Sequence, residues 1–448
     1  MISRKTKLSL AAVGAAALVL SACGGSSDDG GTSTATSDPT DTSQGIVTGT
    51  GVTSEPCPGS SNPDNGCIYL GVISDLTEGP FVPLALEVVR GQEGFWKTVN
   101  DNGGVAGFDV NISQNTRDNK YDPAVHSQEY RAIEPNILAL AQTLGTPQTQ
   151  AILPDMDADN VIGAPASWWS GWQFPDDDFG VVMESGASYC IAIMSGMDWY
   201  VENNAAIETV MSVGPPGDFG GDVAAGTEAW AGANSVEFSG FVEQLPNAVA
   251  GNQDAAVQQI LAANPDVVTL GTGPAEVAEI IGKAAAQGYT GQFVGSAPTW
   301  NPILLQTAAA PALLALYTNV GTTASFGSTD TIAMQAMEKA TGGNVPANDG
   351  YTYGWVWQYP MLAALEKAAA SGDLTREGLR AAITGGLEVD YEGALPNATV
   401  NGPSSEVDRS VTISVPDEAS TLGIRTITTG YTGPTAEAYD YSAPCSGA

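Results

Sequence analysis

Hydrophobic positions fall into three successive regimes along the 448 residues. Residues 8–20 form one apolar run, preceded by Arg4, Lys5 and Lys7 and closed by Ser21-Ala22-Cys23. Residues 24–55 are Gly, Ser, Thr and Asp with almost no large apolar side chain. From residue 66 onward, short apolar runs alternate with helical spacing. Strands are expected over 67–73, 108–112, 151–153, 161–163, 210–213, 266–270 and 292–295. Helices are expected over 83–99, 126–144, near 199–209, near 220–233, 255–263, 275–287, 351–370 and 375–383. Asn100-Asp101-Asn102-Gly103-Gly104 closes the first helix with residues that tolerate positive φ. The last seventy residues read as β and loop. Strand–helix alternation with nearly continuous apolar strands predicts an α/β fold of parallel sheets covered on both faces. A polar stretch around 172–186 separates two such series, and the part after residue 55 is too long for one core. No internal repeat at a fixed short period is present.

The first regime reads as an export signal, since the apolar run is too short to span a bilayer comfortably. Leu20-Ser21-Ala22-Cys23 resembles the lipobox of bacterial lipoproteins, whose Cys is acylated and becomes the new N-terminus. Residues 1–22 are then the signal peptide, and Cys23 is the lipidation site and membrane anchor. Residues 23–55 are expected to be a disordered tether, because they cannot bury enough surface to offset chain entropy. A flexible chain of that length reaches ~30 Å. The body is placed at the outer face of the bacterial cell membrane.

The formal net charge is −35, and the signal region contributes three basic and no acidic residues. Binding of nucleic acid or anionic lipid by the body is thereby disfavoured, since both require a basic face. Four cysteines remain for an oxidising compartment: Cys57, Cys67, Cys190 and Cys445. Three pairings are possible. Cys57–Cys67 is the economical one across the turn-rich CPGSSNPDNGC, worth ~3 kcal/mol in the chain-entropy picture. Cys190 then pairs with Cys445. No Cys/His cluster suggests a metal, and no cofactor is called for.

The order of motifs resembles the type I periplasmic binding proteins, in the branch that binds branched-chain amino acids, amides and related molecules for ABC importers. Asn100 to Gly107 (NDNGGVAG) is similar to that family's Asn-x-x-Gly-Gly-Ile-x-Gly turn. Arg117 to Pro123 (RDNKYDP) looks like its Asp-rich segment, and Leu144 to Thr149 matches the turn that holds Gly-Pro-x-Ser. Gly217-Asp218-Phe219-Gly220 sits at the usual Tyr-Gly pair, and residues 354–370 with 379–383 resemble the late helix pair. The resemblance implies two Rossmann-like lobes joined by a three-strand hinge. Lobe one is expected in 56–190 with 318–370, lobe two in 191–317 with 371–400, and 401–448 as a C-terminal β and loop segment.

In such sheets ligands sit beyond the carboxyl ends of the strands, at helix N-termini that suit a carboxylate. The loops there nominate Glu78 and Phe81, then Thr146, Gln148 and Thr149, then Thr272 and Ser296. By resemblance, Ala164, Ala166 and Ser167 supply backbone and hydroxyl contacts. Trp168, with Trp169 and Trp172, is either an aromatic wall or a core cluster. Phe219 replaces the family's usual Tyr, removing a hydroxyl directed at the ligand. Amino-acid binders of the family place a carboxylate near 296–300 for the ligand's ammonium, and none stands here. Amides, carboxylates and aromatic compounds stay open beside branched-chain amino acids.

The resemblance implies a monomeric binding protein rather than an enzyme, partnered by ABC importer permease subunits. The single His126 stands in a polar helical stretch with no nucleophile motif, and is expected to be solvated or capping. A sensing receptor lipoprotein of the same fold is the alternative, and a secreted hydrolase the remote one.

Overall fold

The computed structural model describes residues 45–447. The export signal, Cys23 and the tether up to residue 44 lie outside the described residues.

Two parallel-rich sheets form two lobes. In lobe one the central strand Gly66–Ser74 is parallel to Phe108–Asn111 and Thr116–Asp118 on one side and to Ala139–Leu144 on the other. Ala139–Leu144 in turn pairs with Gly163–Ala166. Lobe two's sheet runs in the order Ile424–Tyr431, Val411–Pro416, Tyr317–Gly321, Gln292–Ser296, Val267–Leu270, Thr209–Gly214, Glu237–Glu243. Its last five strands are mutually parallel, while the two C-terminal strands join antiparallel at the edge.

Local sequence explains most boundaries. Asp122 caps the helix Pro123–Ile133 by accepting the N–H groups of Ala124 (2.8 Å) and Val125 (3.0 Å). The helix Val82–Asp101 ends where Gly103 and Gly104 take positive φ. Both disulfides form as the turn-rich spacing suggested, Cys57–Cys67 and Cys190–Cys445, with Cα separations of 4.8 and 6.4 Å.

Several expectations are corrected. The helix expected over 126–144 stops at Ile133, before Pro135, and residues 139–144 are instead a fully buried strand. A short apolar run inside a sheet is not distinguishable from a buried helix turn by periodicity. Residues 151–153 form the turn into the helix Leu153–Ala158, not a strand. The helix expected near 199–209 lies earlier, at Tyr189–Asn203. The long helix over 351–370 is two, Gly350–Val356 and Tyr359–Ala370, with Pro360 in the first turn of the second. The end of the expected tether is ordered: Val47-Thr48 pairs with Asp373-Leu374, and Val52-Thr53 with Cys67-Ile68.

The lobe boundaries also shift. Residues 371–400, expected in lobe two, pack into lobe one's core through Leu374, Leu379, Ile383, Leu387 and Val389. Tyr317–Gly321 and the segment from 401 belong to lobe two, whose sheet they complete. The chain crosses between lobes after Ser185, after Gly321 and after Val400. Gly186 turns the first crossing with φ +88°, and an added Cβ would lie 3.1 Å from Thr322 on the second.

Candidate functional site

Between the lobes lies a cavity of about 440 Å³. Lobe one contributes the start of Val82–Asp101 (Pro80, Phe81, Leu84, Ala85, Val88), Tyr121, the turn Leu144 to Pro147, Ala166 to Trp168, and Trp357. Lobe two contributes Tyr189, Pro215, Pro216, Asp218, Phe219, Pro246, Ala248, Gly273 to Glu276, and Pro298. Most of these residues lie at the ends of parallel strands or in the loops and first helical turns beyond them; Trp357 comes instead from the C-terminal end of the helix Gly350–Val356. The predominantly apolar lining and its few polar groups match the usual make-up of a small-molecule site.

Aromatic rings frame the space. Phe81 leans on Tyr121 (centroids 5.1 Å), and Phe219 on Tyr189 (4.6 Å). Trp168 packs edge-on against Tyr189 and Tyr353 and tilts against Trp357 at 5.0 Å. Its indole N–H is spent on the Ser185 carbonyl (2.9 Å), so it offers the cavity an apolar face.

The lobes touch directly across the gap. The Tyr353 hydroxyl reaches the Ala297 carbonyl at 3.4 Å. Ser170 donates to Asp222 through both its N–H (2.6 Å) and its hydroxyl (2.8 Å). The C-terminal tail reinforces this joint: Ser446 donates to Asp222 (2.7 Å) and accepts the Trp169 indole N–H (3.0 Å). These contacts describe a closed cleft.

Burial dominates the electrostatics. It raises the Asp218 carboxyl despite hydrogen bonds from Thr146 and the Phe219 N–H, because that surface opens on the cavity and not on bulk water. The Asp222 carboxyl is pushed up to about 7 by burial, against the hydrogen bonds of Ser446 and Ser170. Tyr121 and Tyr189 are raised by the same desolvation and stay neutral.

Of the residues nominated from sequence, Phe81, Thr146, Ala166, Ser167, Trp168 and Phe219 line the cavity. The others do not. Glu78 is exposed and paired with Lys120 at 2.7 Å. Gln148 donates to the Tyr121 carbonyl (2.8 Å) and so holds that ring in place. Thr149 is buried against Thr143 (2.9 Å), and Ala164 lies inside its strand. Thr272 and Ser296 are buried, with hydroxyls lacking a partner among the described residues, next to the lining Gly273 and Pro298. Trp169 and Trp172 belong to lobe one's core. His126 is buried, not solvated: its ring meets Asn119 (3.0 Å) and Thr143 (2.9 Å), and desolvation lowers it to about 3. It does not line the cleft. Tyr121, Tyr189, Asp218 and Trp357 were missed. The first and third sit inside quoted motifs, whereas only tertiary packing brings Tyr189 and Trp357 to the cavity.

Among the described residues no group of His, Cys, Asp or Glu is arranged to hold a metal ion, and no helix is long and apolar enough to cross a membrane.

A family model described as periplasmic binding protein matches residues 68–413. Among solved structures, the chain is similar to a fatty acid ABC transporter substrate-binding protein from Thermomonospora curvata. That similarity has 25% identity and a TM-score of 0.77, covering 89% of this chain and 98% of that one. A branched-chain amino acid ABC transporter protein from Thermus thermophilus with bound valine shares the fold at 17% identity and TM-score 0.68, covering 84% of this chain and 99% of that one. So does a solute-binding protein of an ABC transporter from Rhodopseudomonas palustris HaA2 in complex with p-hydroxybenzoic acid, at 15% identity and TM-score 0.67, covering 82% and 98%. No curated protein sequence matches.

Proposed function

We propose a capture function that proceeds from one fact: the chain belongs to the periplasmic binding protein family. It is a solute-binding protein of the ABC transporter type. Within that class, it captures a small apolar organic solute between its lobes and delivers it to the permease of an ABC importer. It works outside the cytoplasm, held to the membrane by a lipid on Cys23.

The observation that carries the ligand class is the lining. Phe81, Leu84, Val88, Trp168, Phe219 and Trp357 present hydrocarbon to a closed space, and burying apolar surface contributes ~25 cal/mol per Å². Among the described residues the lining contains no Lys, Arg or His for a ligand carboxylate. Of the classes expected from sequence, a free branched-chain amino acid is therefore the least supported. The T. curvata protein, named for fatty acids, supports a solute with a hydrocarbon chain.

Mechanistically, the ligand bridges the two halves, adding to the contacts they make across the gap, and so shifts the population toward the closed form. That form is what a permease reads. Differential scanning fluorimetry of the full chain tests the proposal. An apolar solute should raise the melting temperature in proportion to the logarithm of its concentration. A panel of alcohols, amides, carboxylates, aromatic acids and amino acids giving no shift would contradict it.

A further inference from the structure

Four long helices begin at the cleft, and three of them bring a carboxylate of their own. The fourth, Tyr189–Asn203, is capped by the Ser188 hydroxyl, which accepts the Ile191 N–H (3.4 Å), and gives its own first N–H to the Trp168 carbonyl (2.8 Å). The turn entering Val82–Asp101 is tied by buried Asp75, which accepts the N–H groups of Gly79 (2.8 Å) and Phe81 (2.9 Å). Asp218 opens Asp218–Asn234 and lines the cavity. Glu276 sits in the first turn of Pro274–Ala286 and accepts the Asn247 N–H at 2.9 Å. Pro83 and Pro274 remove further donors from these first turns. The positive dipole ends that would welcome an anion are answered from within the chain.

Among the described residues no cation lines the cleft. Lys120, beside the lining Tyr121, is spent on Glu78. An anion entering the cleft would give up its hydration, meet Asp218 and Glu276, and find no counter-charge. Burying an ion unpaired is among the largest penalties a binding site can impose.

Resting on the capture function above, we propose that the cleft admits its ligand only in uncharged form, with Asp218 as the specificity-determining residue that turns carboxylates away. The favoured ligand carries a hydrocarbon chain and one hydrogen-bond-donating group, such as a hydroxyl or an amide N–H. The Asp218 oxygens accept from that group, while the chain lies along Leu84, Val88 and Trp357.

The test is calorimetric titration of the full chain at pH 8 with octanol, octanamide and octanoate, which share a chain and differ in the head. The neutral pair should bind, and octanoate should bind at least about thirtyfold more weakly. Asp218→Asn should recover about tenfold of the octanoate loss, since the amide keeps the acceptor and drops the charge. Octanoate binding the unsubstituted chain as tightly as octanol overturns the proposal while leaving capture intact. Valine binding more tightly than either neutral ligand does the same. A folded Asp218→Asn protein that still rejects octanoate overturns the role of Asp218, with Glu276→Gln as the companion variant. Binding of none of these by the unsubstituted chain, with no solute found in the protein as isolated, overturns the capture function and this proposal with it.

Discussion

The Asp222 carboxylate accepts both the N–H and the hydroxyl of Ser170, and in doing so fastens lobe two's helix Asp218–Asn234 to lobe one. Ser446 shares the same carboxylate, and its neighbour Cys445 donates its N–H to the Ser170 hydroxyl (2.8 Å). Closure is thus supported from the C-terminal end of the chain as well as from the ligand side. Asp222→Ala should cost about 2 kcal/mol, because it strands the Ser170 N–H and hydroxyl in a buried place. Chemical denaturation reads this directly, and a loss below about 0.5 kcal/mol would show that the joint is solvated.

The same carboxylate sets a pH response. Burial raises Asp178 to about 8 and Asp222 to about 7, from an ordinary 3.8. Both hold a proton in the folded chain at pH values where the unfolded chain has lost it. Their contribution to stability is complete below 3.8 and fades as pH climbs through the folded values. His126, lowered by burial from 6.5 to about 3, acts in the opposite sense and only below 6.5. Between pH 8 and 6.5 the melting temperature should therefore rise as pH falls, and Asp222→Asn should flatten the slope. A temperature that drops over that window would contradict the assignment.

The two disulfides should differ in weight. Cys190–Cys445 spans 255 residues and Cys57–Cys67 spans 10. Replacing the long-range pair with Ser should cost about 3–5 kcal/mol, more than replacing the short one. Paired denaturation curves measure the difference, and an equal or reversed order would argue that the tail stays docked without its bond.

Binding and stability should separate at Phe81, which lines the cavity, and Thr149, which does not. Phe81→Ala removes a lining ring and should weaken solute affinity by about tenfold or more. Thr149→Ala should leave affinity unchanged and cost about 1 kcal/mol of stability, since its hydroxyl bonds buried Thr143, which in turn touches His126. Calorimetry alongside thermal melts distinguishes the two, and a Thr149→Ala protein with lost affinity would return that residue to the site.

The proposed anchoring rests on Cys23, outside the described residues. Cys23→Ser should move the protein from the membrane fraction to the soluble fraction. Retention in the membrane would contradict lipidation.

The alternation of strand and helix was legible because the strands of both sheets are buried runs, and because turns such as Asn100 to Gly104 carry their own chemistry. The cavity was partly legible for the same reason: Phe81, Ser167 and Phe219 follow predicted strands, whereas Thr146 was reached through the turn motif Leu144 to Thr149, behind a run expected as helix. What sequence could not show depends on distant partners. Tyr189 opens a helix whose spacing gave no hint of its reach, and Trp357 arrives at the cleft only through the packing of Gly350–Val356 against Val82–Asp101. Residues 371–400 look like any helix and hairpin until Leu374 and Leu379 are seen in lobe one's core. Val47 and Val52, two apolar residues in a polar stretch, were too short a signal to predict the strands they make with residues from far along the chain. At the helix N-termini expected from sequence to suit a carboxylate stand Asp75, Asp218 and Glu276, acids of the same chain whose nearness to the cleft the loops alone did not reveal.

Native mass spectrometry of the full chain, recovered from its own source without denaturation, bears most directly on whether the closed halves hold a solute. One additional small mass per chain, released on unfolding and identified as an apolar organic molecule, is the predicted result. A bare chain mass in every charge state, unchanged when apolar solutes are added in excess, would contradict capture in the cleft.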